Sequence, residues 1–426
     1  MLRGLFGLAV LIGIAWSFSR NRRAVSLKLV LTGVALQIAF AALVLDVPAG
    51  RAVLSAIAAG FIRLLGFVDV GSRFLFGKLA DGPSFGFVFA VQVLPTIIFF
   101  SSLTGVLYHL GVLQRVVKAM AWAITKALNV SGAETTSVCA NVFVGQSEAP
   151  LTIRPYLEKM TDSELVTVMI GGMAHVAGSV MGAYVGLLGG DDPTQRQFFA
   201  KHLLTASVMA APATLVVAKI LMPETGEPLT RGTVKLEVTK TAANVVDAAA
   251  SGAGDGLRLA LNVGAMLLAF ISLVALVNAP LEWLGRAGGG AVNGALSAWA
   301  GRPLALSLQT ILGAVCAPVA WLIGVPWSDA PLVGSFIGEK VVINEFVAYA
   351  DLSAHLGQLQ QHSQVIAAYA LCGFANFSSI AIQIGGIGSL APTRRHDVAR
   401  FGLLAVLGGS IATFMTATIA GVLSST

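Results

Sequence analysis

The sequence predicts an all-α integral membrane protein: eight transmembrane helices, two opposed re-entrant helical hairpins and interfacial helices, arranged as inverted repeats. Three observations carry this prediction. Of 426 residues, 56% are hydrophobic and only 11% charged, whereas a soluble domain carries about 25% charged residues. The apolar runs recur at lengths near the roughly 20 residues that a helix needs to cross the hydrocarbon core. Two polar, acid-bearing stretches interrupt this pattern, 141–150 (NVFVGQSEAP) and 343–347 (INEFV). Free backbone groups and an acid are tolerated at membrane depth only where they line a cavity or meet a partner.

The elements follow in order. Leu2 to Phe18 is apolar and is followed by Arg20, Arg22, Arg23 and Lys28. A cleaved signal carries its charge before the apolar run, so this is a retained first span with its amino terminus outside. Leu29 to Val47 is the second span. Arg51 to Ala80 spaces Arg51, Arg63, Arg73 and Lys78 among apolar residues, as an interfacial amphipathic segment does. Phe85 to Leu110, broken by Pro95, is the third span, and Arg115, Lys118 and Lys126 mark a basic amphipathic segment inside. Around the first acidic break the flanks Cys139–Val144 and Leu151–Met160 are each too short to span, which predicts a hairpin over 131–160.

Leu165 to Leu188 then runs outward to the acidic turn Asp191-Asp192-Pro193, and Phe198 to Met222 returns. Pro223 to about Gly254 is the most polar part and reads as a cytoplasmic connector. Leu257 to Leu284 is the sixth span. Gly288-Gly289-Gly290 opens an outer region with an apolar helix, Leu304 to Ile323, and a second hairpin over 326–351. Val365 to Leu390 is a span interrupted at 373–379, and Phe401 to Leu423 is the eighth. The divisions expected are 1–110 (part of a scaffold), 111–225 (first repeat), a connector over 226–256, and 257–426 (second repeat).

The net charge of +6 is modest, and its Lys and Arg sit mostly in short connectors, so no nucleic-acid surface is expected. Cys139, Cys316 and Cys372 stand far apart in apolar runs and read as packing residues rather than a zinc site or disulfide framework. No nucleophile elbow, zinc-protease motif or phosphate-binding loop is present, which argues against an enzyme or an ATP-driven pump. The two halves align instead. Glu148 is followed 27 residues later by His175, and Glu345 is followed 31 residues later by Asn376. A hairpin tip followed by a broken span, twice and from opposite faces, is the pattern of inverted-repeat transporters with a midplane site. An ion or solute channel is the alternative from another class.

Four segments, 141–150, 171–179 (GGMAHVAGS), 344–349 (NEFVAY) and 372–379 (CGFANFSS), resemble the signature segments of the concentrative nucleoside transporter family. The likeness runs from about Leu79 to the carboxyl terminus. It implies a homotrimeric bacterial inner-membrane symporter that brings a nucleoside such as uridine or adenosine inward with a cation, by elevator-like alternating access and without a cofactor. It further implies that Gln146, Ser147 and Glu148 face the nucleobase. Glu345, Asn376 and Ser379 would hold the ribose, with Phe374 packed on the nucleoside. In sodium-coupled relatives the ion is held by the side chain at Asn141, backbone oxygens around Val144 and Val176, and a hydroxyl at the position of His175. A hard cation prefers oxygen, whereas an imidazole can carry its own proton. The sequence therefore favours a proton over sodium as coupling ion, with Glu345 a second candidate carrier and sodium at Asn141, Val144 and Val176 the alternative.

Structural readings stand beside these. His175 can be a packed histidine bonded to a carbonyl, Asn141 can satisfy hairpin backbone, and Phe374 can be core. His109, His202, His355, His362 and His396 are expected at the surface.

Overall fold

The computed structural model describes residues 2–80, 88–190, 192–233, 242–300 and 304–424, and these are helical throughout apart from turns and one isolated backbone bridge, Ser131 to Arg231. The predicted acidic turn at Asp191, the start of the predicted third span at 85–87, and Lys235 and Lys240 of the predicted connector lie outside the described residues. Seven helices among the described residues are long and apolar enough to cross a membrane, and shorter apolar helices accompany them.

The chain begins with α1 (Leu2–Ser17), α2 (Leu27–Leu45, capped by Ser26 accepting from the Leu29 amide) and α3 (Pro48–Phe76). The predicted interfacial segment is thus one 29-residue helix, and its length and apolar content suit crossing a membrane as well as lying on one. The third span, Phe89–His109, is broken as expected beside Pro95: a single turn, Phe89–Gln92, ends at Val93, and Pro95 sits in the first turn of α4 (Leu94–His109), where its missing N–H costs nothing. The basic amphipathic segment is α5 (Val112–Leu128), closed by Asn129 in the left-handed conformation (φ 53°).

The first hairpin is α6 (Gly132–Ala140), a tip, and a 3-10 segment, Ala149–Ile153, that packs back on α6 and leads into a single helical turn, Arg154–Leu157. Its returning arm is therefore shorter and less regular than the sequence suggests, because Pro150 and Pro155 remove amide donors there. The following span is broken as expected into α7 (Asp162–Ala174) and α8 (Gly178–Gly189), and α9 (Pro193–Leu221) returns.

The predicted sixth span starts earlier than hydropathy alone suggests. α10 (Val245–Ala300) takes up the end of the predicted connector, and Gly288, Gly289 and Gly290, all at positive φ, break it. The early start has a packing cause. A Cβ on Gly252 would lie 2.7 Å from the Ser101 carbonyl oxygen, and one on Gly256 would lie 2.7 Å from Ile98 Cα, so α10 meets α4 backbone to backbone. Small residues four apart permit this approach between membrane helices. The apolar helix of the outer region is α11 (Leu308–Leu322), and the second hairpin is α12 (Ala330–Val342) packed against α13 (Glu345–His355). The second broken span is α14 (Gln361–Leu371) and α15 (Phe377–Leu390), and α16 (Arg395–Ser424) ends the chain.

Helices α7, α8, α9 and α16 form the buried centre, whereas α3 and α10 bury little of their apolar surface. An all-round apolar helix is stable only inside a core or in lipid, and the two sets divide accordingly. α1 and α2 pack on α9 and α16, while α4 packs chiefly on α10. The other histidines differ from expectation: among His109, His202, His355, His362 and His396 only His396 is exposed, and His202 lies 3.3 Å from the Tyr369 hydroxyl.

Candidate functional site

Both hairpins and both broken spans place helix ends where the polar residues cluster. The sequence builds each end locally. Asn344 and Asn376 cap α13 and α15, their side-chain oxygens accepting from the amides of Val347 and Ser379 at 2.9 and 2.8 Å. These caps hold the backbone extended for one residue and turn the next into helix. Glu345 becomes the first residue of α13, where the helix dipole favours an anion.

The structure joins the residues expected to hold the ribose. Asn376 Nδ2 donates to Glu345 Oε2 at 2.8 Å, and the Tyr184 hydroxyl donates to Glu345 Oε1 at 3.2 Å. Gln146 Nε2 donates to Ser379 Oγ at 3.2 Å, so the first hairpin tip meets the second broken span. Gln383 Nε2 donates both to Gln146 Oε1 at 3.1 Å and to the Met169 carbonyl at 2.9 Å. Ser147 and Glu148 remain exposed at the tip, with Glu148 Oε2 folded over Gly145, and Ser147 lies beside Gly386. Phe374 is half-buried and packs on the core.

Tyr184, Gln383 and Lys340 were not singled out in the sequence. Gln383 carried a usable signal, since it is the one amide of a long apolar helix and stands a turn beyond Ser379 on the same face. Tyr184 gave none: on α8, it stacks on Tyr349 (centroids 4.3 Å apart) and meets Phe346 edge-on (4.8 Å), both from the second hairpin. Lys340 is fully buried and donates to the Ala370 carbonyl at 2.8 Å and to Thr413 Oγ1 at 3.0 Å, pinning the end of α14 just before its break.

The residues expected around the cation lie by the first break. Asn141 is buried. Its Nδ2 donates to the Ser137 carbonyl at 3.0 Å, as the structural reading expects, but its Oδ1 has no partner. His175 Nδ1 lies 2.8 Å from the Gly171 carbonyl oxygen, and its buried Nε2 has no partner. Val176 is buried and Val144 half-buried, and the Gly178 amide donates to the Phe143 carbonyl at 3.0 Å, tying the tip to the broken span. Asn141 Oδ1 is thus the unpartnered side-chain oxygen among these four residues, and His175 contributes nitrogen where a hard cation prefers oxygen. No cluster of three or more His, Cys, Asp or Glu suited to a metal occurs among the described residues.

Two features give this site its chemical character. The Glu345 carboxylate spends two acceptor sites on Asn376 and Tyr184 and keeps the rest for hydroxyl donors. Gln146, Ser379 and Gln383 form a ladder offering both donors and acceptors to a flat polar edge.

Comparisons with known proteins cover the whole chain. Family models described as Na+ dependent nucleoside transporter N-terminus, nucleoside recognition, and Na+ dependent nucleoside transporter C-terminus match residues 6–79, 90–191 and 202–421. The nucleoside permease NupC of Helicobacter pylori is 42% identical over 430 residues, covering 99% of this chain and 97% of that protein. Sodium/nucleoside cotransporter 1 of Mus musculus is 38% identical over 433 residues, covering 98% of this chain and 63% of that protein. Among solved structures, CNTnw in an inward-facing substrate-bound state is 44% identical, with a TM-score of 0.88 and coverage of 100% and 98%. A doubly substituted form of CNTnw in an outward-facing state is 43% identical, with a TM-score of 0.90 and the same coverage.

Proposed function

The chain belongs to the concentrative nucleoside transporter family, and from that premise we propose that it is a proton-coupled symporter importing nucleosides such as uridine or adenosine. It is a multi-pass bacterial membrane protein and not an enzyme. The observation that carries the proposal is the polar chain across both repeats, in which Glu345 is held by Asn376 and Tyr184 while Gln146 is held by Ser379 and Gln383. A site whose hydrogen-bonding groups must be matched rejects a molecule that lacks them far more strongly than an apolar pocket does. In this reading Glu345, Asn376 and Ser379 hold the ribose, Gln146, Ser147 and Glu148 read the base, and Phe374 packs on the ligand.

His175 supports the choice of proton. It puts a nitrogen where a hard cation would need an oxygen, leaving Asn141 Oδ1 as the unpartnered side-chain acceptor of that pair. Movement is that of the hairpin-bearing body past a support formed by α4 and the largely exposed α10, and three copies assemble through the support.

The test is uptake of uridine and adenosine into proteoliposomes under an imposed pH gradient or an imposed sodium gradient, with the membrane potential clamped. Accumulation driven by the pH gradient alone supports the proposal. Accumulation that requires sodium moves the cation to Asn141, Val144 and Val176, and equilibration without accumulation under either gradient indicates a channel.

A further inference from the structure

One buried acid plays no part in the site described above. Glu339 lies on α12, six residues before Glu345, and is only 1% exposed. Both of its carboxyl oxygens are buried without a hydrogen-bond partner. The helix pair that encloses it is tight: a Cβ on Gly338 would lie 2.6 Å from Leu312 Cβ, and one on Gly334 would lie 2.7 Å from the Ala317 amide nitrogen. α11 carries no charged residue, so that wall supplies no counter-ion. An ionised carboxylate placed here forfeits its hydration with no cation to replace it, while a carboxyl bearing a proton does not.

The groups around Glu339 give it a connection rather than a partner. Gln309 on α11 is the amide placed to donate toward its carboxyl, and Asp351 on α13 is a second acid in its electrostatic neighbourhood. Gln309 Oε1 accepts from Asn278 of α10 at 3.0 Å, and Asp351 Oδ1 lies 3.1 Å from His355 Nδ1. Asp351 and His355 are 24% and 34% exposed, so the pair reaches solvent where Glu339 does not. The remaining ionisable groups on adjoining elements are engaged elsewhere. Lys340 donates to Ala370 and Thr413, Glu345 accepts from Asn376 and Tyr184, and His362 of α14 lies against Gly421. Glu339 therefore lies between a polar pair shared with α10 and an acid–imidazole pair that reaches solvent, with no counter-ion of its own among the described residues.

We propose that Glu339 is the proton-binding group through which a pH gradient drives this transporter, with the Asp351–His355 pair as its relay to solvent. The proton is taken from water on one side by way of the His355 imidazole and the Asp351 carboxylate, bonds to a Glu339 oxygen, and is returned to water on the other side. Because Glu339 rides on the same hairpin as Glu345, the protonated acid crosses with the bound solute. The assignment rests on the symporter reading and replaces His175 and Glu345 as proton carrier: His175 excludes sodium, and Glu345 binds solute.

The experiment compares wild type, Glu339→Gln and Glu339→Asp in proteoliposomes, reading both accumulation under a pH gradient and gradient-free counterflow of labelled uridine against unlabelled uridine. The Gln side chain mimics the protonated acid. That variant is expected to keep counterflow and lose accumulation, while Asp keeps both. Accumulation by Glu339→Gln equal to that of wild type overturns the assignment, and so does wild-type accumulation that ignores the pH gradient. If Gln and Asp both lose counterflow along with accumulation, Glu339 is a structural residue and the assignment falls. Absence of counterflow in wild type would instead sink the nucleoside reading itself, so the two failures are told apart.

Discussion

Glu345→Gln isolates the charge of the site from its shape. In wild type the carboxylate accepts from Asn376 Nδ2 at 2.8 Å and from the Tyr184 hydroxyl at 3.2 Å. The amide can keep both contacts, its oxygen accepting from Asn376 and its nitrogen donating to the Tyr184 oxygen once that hydroxyl rotates. The folded state therefore loses little, and thermal unfolding should stay close to that of wild type. What disappears is a charged acceptor for hydroxyl groups of the solute. A hydrogen bond to a charged group contributes about 1.5–3 kcal/mol, and 1.4 kcal/mol is a factor of ten, so apparent affinity should fall roughly 10- to 150-fold. At a nucleoside concentration below the wild-type KM, initial uptake should become nearly undetectable. The assay is uridine uptake at several concentrations, paired with a competition series in which 2′- and 3′-deoxyuridine replace uridine. Wild-type discrimination against the deoxy compounds should shrink in the variant. Uptake at the wild-type rate, or undiminished discrimination, would refute the ribose role of Glu345.

Three other perturbations test separate parts of the structure. Gln383→Leu removes the donor to Gln146 and leaves the Met169 carbonyl without its side-chain partner; at about 1–3 kcal/mol for a stranded buried group, KM for nucleosides should rise roughly 5- to 150-fold while the protein still inserts. His175→Ser restores the hydroxyl expected at this position in sodium-coupled relatives, so under the proposed reading uptake should gain a sodium dependence; a variant whose pH and sodium dependence match wild type removes His175 from the coupling site. Lys219→Met strands Glu134, whose Oε2 lies 2.7 Å from the lysine nitrogen, with both side chains buried. Breaking such a pair costs about 3–5 kcal/mol. A marked fall in unfolding temperature is expected, and it should be partly restored in the Lys219→Met, Glu134→Gln double variant; an unchanged temperature in the single variant shows that the pair holds nothing together.

Much of the fold was legible because hydropathy and breakers act locally. The polar tip at 141–150, the break after Ala174 and the break at 372–376 all appear where apolar periodicity fails and capping residues stand. The start of α10 was not legible. Residues 245–256 are small and mildly polar, and they are helical because Gly252 and Gly256 let α10 lie against α4, a contact between segments about 150 residues apart in the chain. The returning arm of the first hairpin failed for the opposite reason, since Pro150 and Pro155 overrode an apolar run that read as helix.

For the site, the sequence by itself determined that Gln146, Glu148, Glu345 and Asn376 stand at breaks in an apolar protein, because an acid or an amide is costly in lipid and survives only where function or pairing retains it. It also places a histidine, His175, where the resemblance to sodium-coupled relatives expects a hydroxyl. Only the tertiary structure decided which of these groups meet. Glu345 with Asn376 and Tyr184, and Gln146 with Ser379 and Gln383, are joined across 31, 161, 233 and 237 residues of sequence. No spacing rule reaches that far: side-chain periodicity specifies the face of one helix, while the packing of several helices specifies which faces oppose. The same limit hid Glu339. In the sequence it is one more acid near a hairpin, and its lack of a partner exists only once α11, α12 and α13 have closed around it.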